Sequence, residues 1–415
     1  MTGEGPLRVG LVGCGTISAA YLRPTYRDVT YVACADLDPL RAKATAEAHG
    51  MRATSVEELL ADPEVEAVCN LTVPKAHVDV STAALRAGKH VYSEKPLGLD
   101  LAGAAAMLRL AEEKGLQIGC APDTFLGAGL QTCRQVLDSG RIGEPVAAMA
   151  HLLNHGPENW HPDPGFYFLA GGGPMLDMGP YYLTALVSLL GPIRRVLGVA
   201  RPVPPPRVAR WGPRATESFP VEVPLHVAGI IEHAGGAVAT ISTSFEVWKS
   251  DIPRFELHGT EASLSLPDPN TFGGPVKLFP AGASDWEEVP TDGFGLHQRG
   301  IGLACMAAAI RRGRAPAGAG TALGAGAGAA PGAGAGAAPG AGAGAAPGAG
   351  AGAAPGAGAG AAPGAGASSD NRASGRLAYH VLDAMLAIIE SAGQGCEVLV
   401  QSSAERPAPM PAGLD

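Results

Sequence analysis

The first residues in this chain whose types and spacing could do chemistry are two glycines followed, about 20 residues on, by an acid. Gly13-Cys14-Gly15-Thr16-Ile17-Ser18 interrupts an apolar run that begins at Leu7, and Asp36 closes a second apolar run, Val29 to Ala35. Gly13 permits a tight turn, and Gly15 lets backbone amides approach a pyrophosphate. The helix opened by Thr16 and Ile17 turns its positive end to that charge. Asp36 then stands where a βαβ dinucleotide fold places the carboxylate that accepts from a ribose hydroxyl. Ser18 takes the place of the usual third glycine and is small enough to keep the helix close. A carboxylate at position 36 repels a 2′-phosphate, so NAD is expected over NADP. Arg41 is the counterargument, because a nearby Arg can hold that phosphate.

Further candidates sit at the ends of later runs. Residues 65–73 read as a buried parallel strand whose edge brings Thr72 and Pro74 to the cofactor crevice. His77, just beyond, either touches cofactor or substrate or makes a structural hydrogen bond. The strand from His90 to Ser93 closes at Glu94-Lys95-Pro96. An ammonium at the C-terminal edge of a parallel strand can hydrogen-bond a reacting oxygen, and desolvation there lowers its pKa. The other role open to Lys95 is a salt bridge to Glu94 or a nearby acid.

The elements that must position these residues alternate strand and helix from residue 1 to 122, which predicts a doubly wound parallel α/β sheet of Rossmann type. Asp123 begins the crossing into a second, α+β domain spanning 123–415. Asn154 to Pro164 gathers His155, Trp160 and His161 among prolines; it is either a rigid wall facing a sugar or an ordinary Pro-fixed surface loop. Residues 193–266 alternate apolar runs with Gly and Pro turns, as strands of one antiparallel sheet do. Its open face is a candidate homo-oligomer interface.

Together, GCGTIS, the acid at 36, LTVPKAH at 71–77, GKHVYSEKPLG at 88–98 and GGGPMLDMG at 171–179 resemble the glucose-fructose oxidoreductase, inositol dehydrogenase and rhizopine-catabolism (Gfo/Idh/MocA) family. The resemblance covers nearly the whole chain. It implies NAD(P)-dependent redox chemistry at a secondary hydroxyl or ketone of a sugar, inositol or related polyol, and a second domain built on a large open, mostly antiparallel sheet. Thr72, Pro74, His77, Glu94, Lys95 and Pro96 join the glycines, Thr16, Ile17 and Asp36 as cofactor contacts. Asp123, His155, Trp160 and His161 form the candidate substrate set. Lys95 is implied to assist proton movement and Asp177 to orient the hydroxyl.

One departure bears on mechanism. The family pattern places a His four residues after the Asp, and here Tyr181 stands there. A phenol, with a reference pKa of about 10, is a poor base at neutral pH unless Lys95 or the cofactor's cation lowers it. Either Tyr181 shares a proton relay with Lys95, or His155 or His161 supplies the imidazole, or Tyr181 only shapes the pocket. A non-catalytic sensor of cofactor and ligand remains the other class of function. NAD-assisted epimerisation, elimination or glycoside cleavage through transient oxidation is a third.

Bulk properties narrow the field. A chain of 415 residues with 46% hydrophobic residues suits two domains with real cores. A net charge of −9, with no basic cluster beyond Arg311, Arg312 and Arg314, argues against a nucleic-acid partner. The seven cysteines are scattered without a C-x-x-C pair, so reduced, mostly buried thiols and no metal are expected. The N-terminus lacks a secretory pattern, and no apolar run approaches the roughly 18 residues that span a bilayer, so the cytoplasm is expected and a membrane is not. Residues 315–369 carry no charge and repeat AGAGAAPG with period eight, prolines falling at 331, 339, 347, 355 and 363. With nothing large to bury and Pro breaking any stacking, a disordered coil is expected there. Gly313-Arg314 and Arg372-Ala373-Ser374-Gly375 resemble the two sides of a family junction, which would make the repeat a loop inserted within the second domain.

Overall fold

Strands buried on both faces are rich in apolar residues, and three runs of this chain are buried along nearly their whole length. β1 (Leu7–Val12), β4 (Ala67–Asn70) and β5 (His90–Ser93) are the centre of a six-stranded parallel sheet in the computed structural model, which describes residues 5–24, 26–295, 297–314 and 371–411. The remaining strands are β2 (Val29–Ala35), β3 (Arg52–Ala53) and β6 (Ile118–Cys120), and the spatial order is β3-β2-β1-β4-β5-β6. The order reverses between β1 and β4, which opens a crevice at the C-terminal strand ends where ligands of doubly wound sheets lie.

The crossovers carry helices α1 (Ser18–Leu22), α2 (Pro39–His49), α3 (Val56–Ala61), α4 (His77–Arg86) and α5 (Leu101–Glu113). Their ends follow local chemistry. Asp38 caps α2 ahead of Pro39, and Ser55 with Glu58 forms a reciprocal capping box on α3. The polar, Ala-rich segment after the phosphate loop yields only a short α1, which stops two residues before Pro24, a residue with no N–H to continue the ladder.

After α6 (Ala128–Asp138) the chain enters a nine-stranded sheet. In chain order it comprises β7 (Pro145–Leu153), β8 (Ile193–Ala200), β11 (His226–His233), β12 (Val238–Ser244), β13 (Phe255–Gly259), β14 (Ala262–Ser265), β15 (Val276–Pro280), β16 (Glu287–Val289) and β17 (Val398–Leu399). A separate two-stranded ribbon pairs β9 (Arg207–Val208) with β10 (Ser218–Phe219). The large sheet is antiparallel apart from the β7–β12 pair. Helices α7 (Gly173–Leu190) and α9 (Gly375–Gln394) cover one face. Contact is tight enough to require glycine, since a Cβ on Gly198 of β8 would fall 2.1 Å from the Ile388 carbonyl oxygen of α9.

Two pieces of chain beyond residue 123 return to the first sheet. Helix α8 (Ile301–Arg314) packs against β6 and β2, and Arg311 pairs with Glu66 at 2.8 Å. The Cys120 amide donates to the Ala373 carbonyl at 2.8 Å, and Ser374, which caps α9, bridges Gly119. Thus the described chain leaves at Arg314 and resumes at Asn371 on elements that both touch β6. The repeat at 315–369, expected to be a disordered coil, lies outside the described residues.

Candidate active site

The crevice side is built first by the turn after β1. Gly13 has φ of +98°, and a Cβ there would meet the Leu71 carbonyl group at 2.7 Å, so no other residue fits the turn. A Cβ on Gly15 would meet nothing within 4 Å, which leaves the loop amides open to a phosphate. Thr16 is exposed and Ile17 half-buried beside it. Ser18 is buried and donates to the Gly15 carbonyl at 2.7 Å, so its hydroxyl ties the loop where a third glycine would pack. At the end of β2, Asp36 accepts from the amides of Cys14 at 2.7 Å and Asp38 at 2.9 Å. Oδ2, which accepts only from Cys14, retains a lone pair for a ribose hydroxyl. Arg41 leans on Asp36 at 3.5 Å and on Asp38 at 3.8 Å. These groups fit a dinucleotide.

The β4 edge holds a correction. His77 is 1% exposed and does not line the crevice: Nδ1 lies 2.7 Å from the Pro96 carbonyl and Nε2 3.0 Å from the Thr72 carbonyl. It pins the loop carrying Thr72 and Pro74 to the loop after β5, and burial pushes its pKa down. Thr72 is held in turn, its hydroxyl donating to Asn70 at 2.6 Å. Pro96 is buried and contributes that carbonyl.

Lys95 follows β5, and Asp177 and Tyr181 lie one turn apart on α7; the fold brings the three together. The Lys95 ammonium donates to the Asp177 carboxylate and to the Asp177 carbonyl, both at 2.7 Å, and stands 5.4 Å from the centre of the Tyr181 ring. Burial opposes the Lys95 charge, but Asp177, then Tyr181 and Glu94, outweigh it, so the pKa is raised. The lowering expected from desolvation alone is therefore overturned by the partner across the cleft. Tyr181 is also raised, by burial first, with Lys95 and Arg299 pulling the other way. At neutral pH both groups hold their protons.

Glu94 is consumed by protein groups. Its carboxylate accepts from the Tyr21 hydroxyl at 2.8 Å and the Lys95 amide at 2.9 Å, and Arg299 approaches to 3.5 Å. Asp123 is corrected too. It is fully buried and accepts from the amides of Gly300 at 2.8 Å and Gly302 at 3.1 Å, fastening the start of α8 rather than meeting a substrate. That fastening places Arg299, which the sequence did not single out: no local pattern marks it, and its partner Glu94 is 205 residues away.

The loop after β7 divides its histidines. His155 stacks on Trp248 with ring centres 3.4 Å apart, and its Nδ1 lies 3.4 Å from Glu158, which Arg207 also pairs. His161 instead joins a group of rings with Trp160, Phe166 and Tyr167. Its Nδ1 accepts from the Asp163 amide at 3.1 Å, so in the neutral ring Nε2 carries the proton and donates. Tyr167 lies three residues beyond the Pro-rich stretch 154–164 and carries no local pattern that marks it. Burial, then Asp177, pushes its phenol up to about 12, which places it in the field of the Lys95–Asp177 pair.

Among the described residues no group of His, Cys, Asp and Glu could hold a metal ion, and no helix is long and apolar enough to cross a membrane. Residues 7–121 match the oxidoreductase family with NAD-binding Rossmann fold, and residues 130–265 match the GFO/IDH/MocA C-terminal domain. The chain is 32% identical over 267 residues to 1,5-anhydro-D-fructose reductase of Ensifer adhaerens, covering 62% of this chain and 74% of that protein. It is 31% identical over 163 residues to inositol 2-dehydrogenase of Ralstonia nicotianae, covering 36% of this chain and 46% of that protein. Levoglucosan dehydrogenase in complex with NADH and L-sorbose shares the fold, with a TM-score of 0.68 at 19% identity over 96% of this chain and 99% of that one.

Proposed function

The chain belongs to the Gfo/Idh/MocA family of NAD-binding oxidoreductases, and from that premise we propose that it interconverts a secondary hydroxyl and a ketone on a sugar, inositol or related polyol, using NAD in preference to NADP. The observation that carries this reading is the Lys95–Asp177 pair with Tyr181 beside it, at the C-terminal edge of β5 next to the dinucleotide crevice. When bound, the nicotinamide supplies or accepts the hydride. Lys95, kept charged by Asp177, donates a hydrogen bond to the reacting oxygen. Asp177 fixes the ammonium and accepts from a neighbouring hydroxyl of the substrate. Tyr181 gives its proton to the oxygen as a ketone is reduced and takes it back when an alcohol is oxidised. With both donors protonated, the site favours placing charge on an alkoxide, which suits ketone reduction at neutral pH.

The partly uncovered face of the large sheet supports a homo-oligomer. Leu197, Ile230 and Met149 are exposed on it, and register places Leu197 opposite Ile230, with Thr240 paired to both Ile230 and Met149. Exposed apolar residues on three of four adjacent strands are the kind of surface that copies of a chain bury against one another. The functional test is nicotinamide absorbance with a panel of sugars, inositols and their keto forms. Substrate-dependent change in both directions supports the reading, and ligand binding without any turnover points to a sensor.

A further inference from the structure

Three of the four tryptophans, at 160, 211 and 248, are exposed, and one of them, Trp160, belongs to a cluster of rings on the loop that leads into α7. Tyr167 lies against the start of α7, the helix that carries Asp177 and Tyr181: a Cβ on Gly172, which caps that helix, would collide with the Tyr167 carbonyl. The Trp160 ring centre is 6.4 Å from that of Tyr167, the His161 ring lies 5.2 Å from Tyr167 and 5.5 Å from Trp160, and Phe166 is 4.1 Å from Tyr167. Trp160 is 60% exposed and Phe166 45% exposed, whereas Tyr167 is half-buried. The rings therefore run from the half-buried Tyr167, beside the start of α7, outward to solvent at Trp160.

The loop that carries them is built to stay in place. Phe168 is fully buried against Phe219 and Phe245, with ring centres 4.9 and 6.0 Å away. The amides of Trp160 and His161 both donate to the Pro157 carbonyl, at 3.1 and 2.8 Å. Arg214 pairs with Asp163, and a Cβ on Gly212 would come within 3.0 Å of the Pro162 Cα, so the segment between β9 and β10 is pressed against the loop. A large ring held rigidly in water, beside a hydrogen-bond donor at His161 Nε2, has the features of a stacking platform for the apolar face of a second ring.

Resting on the oxidoreductase reading above, we propose that the substrate is a two-ring glycoside: the ring that reacts lies at Lys95, Asp177 and Tyr181, and the ring attached to it lies across Trp160. The appended ring is a sugar or an aryl group, since either presents a flat apolar face.

The test uses the full chain, NAD in both redox states, and matched free, methyl and phenyl forms of glucose, galactose, mannose and xylose, together with cellobiose and lactose. In wild type, phenyl glycosides or disaccharides should show a KM roughly three- to tenfold below that of the matched methyl glycoside, the size of an aromatic stacking preference. Trp160→Ala should collapse that KM ratio towards one, and Trp160→Phe should restore most of it. Selective response to the phenyl forms or to the disaccharides identifies the appended ring as aryl or sugar. Equal KM values for one-ring and two-ring forms in wild type overturn the proposal, as does a ratio that survives Trp160→Ala. If no compound in the panel is turned over, the oxidoreductase reading is what fails. Calorimetric binding of the same compounds to the NAD-loaded protein then judges the platform separately: tighter binding of two-ring forms, lost in Trp160→Ala, supports it, and equal binding overturns it. Should Trp160→Ala instead convert an oligomer to a smaller species, a second copy covers the ring and the proposal is overturned.

Discussion

Replacing Tyr181 by Phe removes one hydroxyl from a packed ring and tests the proton path directly. Four groups set the state of that phenol beside burial: Lys95 after β5, Arg299 ahead of α8, Glu94 beside Lys95 and Asp177 on the same helix. Their sum, with burial largest, holds the pKa above the usual tyrosine value. Oxidation of an alcohol needs the phenolate, so the oxidative kcat should climb about tenfold per pH unit through the neutral range. Reduction needs the phenol and should stay flat over the same span. A bound nicotinamide cation moves the midpoint of the oxidative rise without changing its slope. Tyr181→Phe should lower kcat by roughly 10² to 10⁴, about 3 to 5 kcal/mol of barrier, and abolish the slope. Lys95→Met should cost a similar factor while NAD affinity, measured by calorimetry, changes little. The assay is initial kcat at saturating cofactor from pH 6 to 10, in both directions. An oxidative rate already level at pH 7, or a Tyr181→Phe variant that keeps the wild-type profile, would refute the assignment and move the proton to another group.

Cofactor choice should follow Asp36: NAD should bind more tightly than NADP, and Asp36→Ala should weaken NAD by roughly ten- to a hundredfold while freeing Arg41 for a 2′-phosphate, with equal affinities in wild type counting against it. Arg299→Gln should shift the oxidative rise to higher pH, because Arg299 stabilises the Tyr181 phenolate, and Arg299→Lys should restore part of the shift; an unmoved profile denies it that role. Acid should destabilise the fold through His380, which is buried, accepts from the Ile193 amide at 2.9 Å and has its pKa pushed down to about 4, chiefly by burial. The unfolded chain takes up that proton first, so stability falls as pH drops from above 6.5 towards 4, by about 2 kcal/mol at pH 5. Denaturant midpoints at pH 7.5 and 5 should separate less in His380→Gln, with the remainder owed to His77 and His233, which burial shifts the same way.

The parts of this fold that could be read along the chain are those whose physics is local. β1, β4 and β5 announce themselves because a strand buried on both faces has no polar alternation to confuse it. The phosphate loop and Asp36 are one βαβ unit apart, and Asp177 and Tyr181 one helical turn apart, so spacing alone implied their neighbourhood. His77, Asp123 and Arg299 fall on the other side of that line. Residue type suggested chemistry for the first two, yet Asp123 is taken by amides 177 and 179 residues away and His77 by a carbonyl 19 residues on. Arg299 carried no signal because its partner, Glu94, is 205 residues away in sequence.

What separates Lys95 from these is how its partner holds it. His77 gives both ring nitrogens to backbone carbonyls and Asp123 gives one carboxylate oxygen to two amides, and both side chains are buried away from solvent. Lys95 gives up two donors to Asp177, yet an ammonium has three, and its side chain remains 16% exposed at the crevice. One donor is thus left for a substrate oxygen, while the ion pair fixes where that donor stands. A polar residue at a strand edge becomes a site when its partners orient it without exhausting it. That condition depends on contacts across 82 residues of sequence, so in this chain only the fold could decide it.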